Sequence, residues 1–282
     1  MNDNLYRTQL FFSDKQNYTV QLLYSNISMS PQGPKTVEAT VNSFRVLEAL
    51  VAAPDPLGVT ELADSVGLSK GVVYNHLGTL SELGYVRKSD GKYRPSLHLL
   101  SLGSRTRNGI DACRAARNHV DNLAQTTGEV ATLFIEEDGL GICTYLSADT
   151  DAWSPDYVCG ERVPLHVTAP GKAILATFAT DRVDKIVAQH GLSAVTEHSI
   201  SDKQSLHTAL QTVRDNGVAF SREEQFDDII GVATSFGLDE RGPAAAIGVC
   251  GPQDRLSGRY LKEDITGQVI STAKSIQVDL TK

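Results

Sequence analysis

The sequence predicts an α+β chain in which a small helical front, ending in a two-stranded hairpin, precedes a larger part of mixed strands and helices. Three observations carry this. Between residues 36 and 96, helix signals, turn residues and a hairpin follow in the order helix, helix, turn, helix, hairpin. Beyond residue 129, runs that alternate at period two are interleaved with amphipathic helical stretches. Charge divides at about the same place: residues 30–108 carry nine Lys and Arg against seven Asp and Glu, and residues 109–282 carry fifteen against twenty-five. The whole chain has a formal charge of −8, but nucleic-acid binding depends on the local patch, so an acidic total does not exclude it. A length of 282 residues leaves room for two ordinary domains.

In the front, Val41, Phe44, Val46, Leu47, Leu50 and Val51 recur at helical spacing and predict a first helix over about 40–53, with its apolar residues inward. Pro54 and Pro56 stop it, because neither can continue the hydrogen-bond ladder. Thr60 is read as the cap of a short second helix containing Leu62, Ala63 and Val66, which Gly67 ends in the left-handed conformation. Ser69 caps a third helix over about 70–83, with Val73, Leu77, Leu80 and Leu83 as its buried stripe and Gly84 as its stop. Tyr85 to Lys88 and Lys92 to Arg94 read as strands around an Asp90-Gly91 turn.

A short helix, a tight turn at a small residue and a second helix match helix-turn-helix spacing, and the basic hairpin makes a wing. With residues 73, 77 and 80 buried, the other face of the third helix presents Ser69, Lys70, Gly71, Val72, Tyr74 and Asn75. Such residues reach base edges in a major groove: Asn75 can read adenine, Val72 can touch a thymine methyl, and Gly71 lets the backbone come close. Arg45, Arg87, Lys88, Lys92 and Arg94 are expected phosphate contacts. The alternative is a small helical domain with a solvated basic hairpin.

Leu97, Leu99, Leu100 and Leu102 introduce a connector, and residues 110–125 read as one helix with Ala112, Ala115, Ala116, Val120 and Leu123 inward. Leucines outside a domain core point either to self-pairing, hence two half-sites, or to packing on the next domain. Residues 129–135 and 140–146 read as strands. A loop with Trp153, Pro155 and Tyr157 follows, then helices from Ala169, over 181–190 and over 202–215, strands over 229–236 and 244–250, and a last helix over about 257–277. The domains expected are a disordered or misassigned extension at 1–35, with translation starting at Met1 or at Met29, a winged helix at 36–96, a linker and dimerisation helix at 97–128, and an α+β sensor domain at 129–282.

Residues 1–28 lack a basic segment followed by an apolar run, so no signal peptide is read there. No stretch approaches the length of apolar sequence that spans a membrane. Cys113, Cys143, Cys159 and Cys250 form no C-x2-C pair, so neither a structural zinc nor a disulfide scaffold is expected, and a reducing, cytoplasmic setting fits. None of the phosphate, nucleophile-elbow or zinc-protease motifs occurs, so no catalytic residue, metal or cofactor is assigned. His119 and His166 are read as structural, Glu223-Glu224 as a turn or ion pair, and Cys250 as part of a core strand.

The order of motifs resembles the IclR family of transcriptional regulators over about residues 36–280. The front motifs are Gly58 to Ala63, Gly67 to Lys70, His76 to Leu80 and Gly84 to Val86. The back motifs are Pro164 to His166, Gly171 to Ala176, Gly217 to Phe220 with Glu223-Glu224, and Ala246 to Pro252. The excess of Asp over Glu and of Arg over Lys fits a haloarchaeal member or ordinary compositional scatter. The resemblance implies a winged helix, a linker helix and a GAF-like effector domain, with dimers or tetramers on palindromic operators. It also implies a small-molecule pocket, which falls here on Val163, Ala169, Pro170, Ser221, Ile229, Gly231, Gly248 and Cys250. Three departures stand out: Ser221 replaces a common acid, Gly248 and Cys250 replace common serines, and Pro170 lacks an N–H. A small keto acid is therefore not assumed, and a bulkier ligand under a Trp153 or Tyr157 lid is the alternative.

The function expected is ligand-responsive regulation of a catabolic operon for a sugar, sugar acid or aromatic acid. The alternatives are an effector-independent local repressor or architectural DNA-binding protein, and, outside that class, a small-molecule enzyme in residues 129–282.

Overall fold

The computed structural model describes residues 36–148, 153–155, 158–236 and 243–281. The N-terminal stretch to residue 35, Tyr157 and residues 237–242 lie outside them. The chain divides into two compact units between Thr106 and Arg107.

The first unit starts with α1 (Glu38–Ala52), α2 (Val59–Val66) and α3 (Lys70–Glu82), followed by β1 (Val86–Ser89) and β2 (Lys92–Pro95). Its core is Val46, Leu50, Leu62, Ala63, Val66, Val73, Leu77, Leu80, Val86 and Tyr93, supplied by all five elements. The cap of α2 is Gly58 rather than Thr60: the Glu61 carboxylate accepts from the Gly58 N–H at 2.7 Å, one half of a capping box. Gly67 ends α2 at φ +67°, as its turn position requires. The hairpin turn places Asp90 and Gly91 at φ +52° and +78°, the pair of positive values a type I′ turn needs. Leu57 bridges Tyr93 through two backbone hydrogen bonds, which fastens the wing to the helices.

Three further parts of the sequence reading are corrected here. Phe44 and Val51, expected inward, are each 59% exposed, because the core face of α1 runs through Asn42, Val46 and Leu50. Leu83, expected in the buried stripe of α3, is 60% exposed, because it is the C-cap and the stripe ends one turn earlier at Leu80. The connector also contains a helix the sequence reading left out, α4 (His98–Asn108), which ends one residue before Gly109 and two before Ile110, the N-cap of α5 (Asp111–Thr127). Gly103, Ser104 and Thr106 are weak helix formers, so composition alone reads that stretch as a loop.

In the second unit, β3 (Val130–Glu137), β4 (Leu140–Ser147), β5 (Arg162–Pro164), β6 (Ala219–Arg222), β7 (Ile229–Phe236) and β8 (Ala245–Pro252) form one antiparallel sheet in the order β5-β4-β3-β8-β7-β6. The period of two divides its faces. Leu133, Ile135, Ile230, Val232, Ile247 and Val249 meet α5 and α9 (Thr266–Leu280), which follows a π-helical stretch at Tyr260–Ile265. Phe134, Ala219, Ala233 and Ala246 meet α6 (Ala169–Ala176), α7 (Thr180–His190) and α8 (Lys203–Asn216). The three-residue β5 and four-residue β6 were not read from the sequence; both are edge strands too short to show a period.

Candidate DNA interface and effector pocket

The helix-turn-helix is held from behind and open in front. Val73, Leu77 and Leu80 lock one face of α3 into the core, and Ser69 caps the helix by accepting from the Val72 N–H at 3.3 Å. The Ser43 hydroxyl lies 2.9 Å from His76 Nδ1 and ties α1 to α3. On the other face Ser69, Lys70, Gly71, Val72, Tyr74 and Asn75 are all exposed. A Cβ at Gly71 would meet nothing within 4 Å, so packing gives no reason for a glycine that costs a helix about 1 kcal/mol against alanine.

The wing sorts its basic residues by face. Val86, Lys88, Tyr93 and Pro95 share one side of the hairpin, and Arg87, Ser89, Lys92 and Arg94 share the other. Arg87 is paired directly with Arg94, which places like charges opposite each other on the exposed side. Lys88 lies on the core side with its ammonium 5.2 Å from the centre of the Tyr93 ring. Arg45 is engaged internally: its guanidinium donates to the Val66 carbonyl at 2.6 Å, at the C-terminal end of α2.

In the second unit, the ladder places Ser221, Gly231 and Cys250 in one row across β6, β7 and β8. The N-terminus of α6 lies over this row: a Cβ on Gly231 would come within 3.4 Å of Ala169 Cβ and 3.7 Å of Cys250 Cβ. In the next row, a Cβ on Gly248 would come within 2.8 Å of Ala233 Cβ and 3.2 Å of Pro170 Cγ. Gly171 has no room for any side chain, since a Cβ would run into the Leu165 carbonyl. Thr168 caps α6, with its hydroxyl accepting from the Gly171 N–H at 2.9 Å.

These approaches enclose a cavity of about 30 Å³ lined by Thr132, Phe134, Thr168, Ala169, Pro170, Ser221, Gln225, Phe226, Ile229, Gly231, Val249 and Cys250. Six of the eight residues that the family resemblance implied meet there. Gly248 lies behind the wall under Pro170, and Val163 sits on edge strand β5 opposite Gly141, apart from the cavity. Thr132, Phe134, Thr168, Gln225, Phe226 and Val249 were missed: the period of β3 marks Thr132 and Phe134, the cap position before Ala169 marks Thr168, and Gln225 and Phe226 sit on a turn that no periodicity marks. Trp153 makes an edge contact with Phe226, ring centres 5.4 Å apart.

Behind the cavity, the Lys172 ammonium of α6 is buried against both carboxylate oxygens of Glu224. Burial pulls the Lys172 ammonium below the ordinary lysine value, and the Glu224 charge opposes that shift. The adjoining turn is held by Ser199 Oγ, which donates to the Glu224 carbonyl at 2.7 Å, and by Thr196 Oγ1, which donates to the Glu223 carbonyl at 2.6 Å. Ser221 Oγ donates to the Val167 carbonyl at 3.1 Å. Burial pushes the Cys250 thiol up to about 12, so it stays protonated. His166 is buried with Nε2 3.1 Å from the Ser193 carbonyl, and burial lowers its value.

The bacterial transcriptional regulator IclR C-terminal model matches residues 105–278, and the IclR helix-turn-helix domain model matches residues 39–90. The chain belongs to the IclR family. It is therefore a transcriptional regulator with a DNA-binding helix-turn-helix. It is 26% identical over 88% of its length, and 95% of the relative's, to the probable HTH-type transcriptional regulator ArcR of Halobacterium salinarum. It is 30% identical over 82% of its length, and 88% of the relative's, to the HTH-type transcriptional regulator KdgR of Escherichia coli. Among solved structures, an IclR homolog from Microbacterium hydrocarbonoxydans complexed with 4-hydroxybenzoate shares the fold. That match has a TM-score of 0.74 at 18% identity, over 86% of this chain and 99% of that one. In IclR terms, α1 to β2 form the winged helix and the six-stranded sheet with its helices forms the GAF-like domain. No helix among the described residues is long and apolar enough to cross a membrane.

Proposed function

We propose that this chain is a ligand-responsive, sequence-specific regulator of a catabolic operon, acting in the cytoplasm on a palindromic operator. The observation that carries the reading is the open N-terminal face of α3, where Lys70, Gly71, Val72, Tyr74 and Asn75 stand exposed on a helix fixed from behind. Asn75 and Val72 read base edges. Ser69 lies at the mouth of the groove, and Lys70, Arg87, Lys92 and Arg94 neutralise phosphates. Lys88 reaches a phosphate only past the Tyr93 ring, and Arg45 acts mainly by holding the end of α2.

The active form is a homodimer or a pair of dimers. Phe44, Val51, Leu97 and Leu100 leave apolar surface that is exposed among the described residues, Leu97 being 86% exposed. A two-fold partner accounts for it and gives two half-sites.

The effector binds where α6 lies over the sheet. Phe134, Phe226, Pro170 and Ile229 offer apolar contact, and Thr132, Ser221 and Gln225 offer hydroxyl and amide groups. Pro170 has no N–H and the Gly171 N–H is taken by Thr168, so the first turn of α6 gives a carboxylate little to hold. Of the three pathway classes, the lining favours an aromatic ring over a sugar or sugar acid. A cavity of about 30 Å³ holds only about two waters, so the effector selects a more open arrangement, with the contact between Trp153 and Phe226 moving. The same small volume favours a second reading, a local repressor that needs no effector.

Genomic fragments retained by the purified protein at several salt concentrations test the function. Enrichment of a palindrome beside a few promoters supports it, and the neighbouring genes nominate the effector. Retention of random fragments that vanishes as salt rises leaves only the electrostatic component and overturns it. A nominated effector that shifts operator affinity without changing the fluorescence of Trp153 removes the lid. One that shifts nothing favours the second reading.

A further inference from the structure

The four cysteines are scattered in sequence, yet two meet at the outer edge of the sheet. β5 pairs with β4 only over Leu140–Ile142. Just beyond, the Cys143 carbonyl accepts from the Gly160 N–H at 2.7 Å and the Cys143 N–H donates to the Glu161 carbonyl at 3.2 Å. This pairing sets Cys159, the residue before Gly160, beside the Leu146 backbone and beside Cys143, whose thiol also donates to the Tyr145 carbonyl at 3.6 Å. Cys143 is buried and Cys159 is exposed. The guanidinium of Arg107, held 5.5 Å from the centre of the Tyr145 ring, acts electrostatically on Cys159, and Cys113 lies within the same reach. The Glu161 carboxylate, which opposes ionisation of Cys143, accepts from the Val158 N–H at 3.0 Å.

We infer that Cys143 and Cys159 form a site of oxidative modification, in which a hydroperoxide converts the exposed and buried thiols to an intramolecular disulfide. The hydrogen bond from Cys143, followed by Arg107 and the Leu146 backbone, pulls the Cys159 thiol below its ordinary value. The same pairing and burial hold Cys143 protonated. The Cys159 thiolate attacks the terminal peroxide oxygen. The O–O bond breaks, the departing alkoxide takes a proton as alcohol or water, and Cys159 becomes a sulfenic acid. The Cys143 sulfur then attacks that sulfur. Its proton leaves with the hydroxyl as water and the S–S bond forms, so two thiols supply the two electrons that reduce the peroxide. An accessible, acidified thiol beside a resolving partner is the arrangement such chemistry needs. The bond joins Cys159, just ahead of β5, to β4 within the sheet.

The test uses the reduced full chain and hydrogen peroxide. Wild type should lose two hydrogens in intact mass, stay monomeric on non-reducing gels and give a peptide joining Cys143 to Cys159. Cys143→Ser should leave a sulfenic acid on Cys159 that dimedone traps, and Cys159→Ser should give neither product. If the variants do not fold, wild type alone decides: iodoacetamide should alkylate Cys159 about tenfold faster at pH 7 than it alkylates any other thiol. A disulfide between protomers, a bridge to Cys113 or Cys250, or a Cys159 alkylated no faster than its neighbours overturns the inference.

Discussion

At α3 the side chains proposed to meet a ligand stand exposed on a helix whose other face is fixed in a core. At α6 nearly all of the first two turns are buried, and the shape of the site is set by side chains that are missing, at Gly171, Gly231 and Gly248. The first site reads a rigid external lattice of base edges and phosphates, so it needs a fixed frame and free donors. The second must change volume when a small molecule arrives, so it is built from close contacts that can part. A substitution at α3 should therefore alter recognition without altering stability, and one beneath α6 should do both.

The largest expected effect tests the buried side of that contrast. Lys172→Met leaves the Glu224 carboxylate buried, with the Arg222 N–H at 3.3 Å as its remaining donor among the described residues. The loss should be about 3–5 kcal/mol in urea unfolding, as for other buried pairs broken from one side. The Lys172→Met, Glu224→Gln double variant should recover much of it, because no buried charge then remains. If the single variant costs less than about 1 kcal/mol, the pair is solvated and does not hold the Gln225-Phe226 turn to α6.

Gly248→Ala should cost about 1–3 kcal/mol, the range for overpacking. Its methyl would press on Ala233 Cβ and on Pro170 at once. Because Pro170 forms the cavity wall, effector affinity should change in the same variant. Unchanged affinity beside lowered stability would show that α6 moves as a whole and that the wall keeps its shape.

The difference between the two sites also decided what the sequence could show. The helix-turn-helix was legible because its signals are local: Ser69 before an apolar stripe, Gly67 in a turn, Asp90-Gly91 between basic strands. Its errors arose where surface and core look alike, as at Phe44 and Val51, whose apolar character reads as burial but faces outward. The sheet of the second unit was legible strand by strand over β3, β4, β7 and β8. Edge strands β5 and β6 were too short to show a period. The cavity was legible only through the family resemblance: the row of Ser221, Gly231 and Cys250 is made by pairing between strands distant in sequence, which no local pattern shows. The meeting of Lys172 with Glu224 and of Cys143 with Cys159 has the same non-local origin, and no spacing rule anticipates it.

Asn75→Ala tests the exposed side. It should leave the urea midpoint unchanged and cost about 1–3 kcal/mol of discrimination at one base position of each half-site, read by binding to a library of operator variants. A loss spread evenly over all sequences would mean that Asn75 touches the backbone and that the register of α3 in the groove is shifted.

The smallest effect is the sharpest on geometry. Arg87→Ala should weaken binding to every sequence alike and lower the slope of log affinity against log salt by about one. Lys88→Ala, beside it in sequence but on the other face of the hairpin over Tyr93, should change the slope less. Basic content alone predicts equal effects for the two. Stability supplies a sign that misfolding cannot imitate. Arg87 faces Arg94 across the hairpin, and among the described residues neither has an ion-pair partner, so removing Arg87 relieves repulsion in the free protein. The variant should bind DNA more weakly while melting no lower than wild type at low salt. A fall in both would mean that Arg87 supports the wing instead of reaching beyond it.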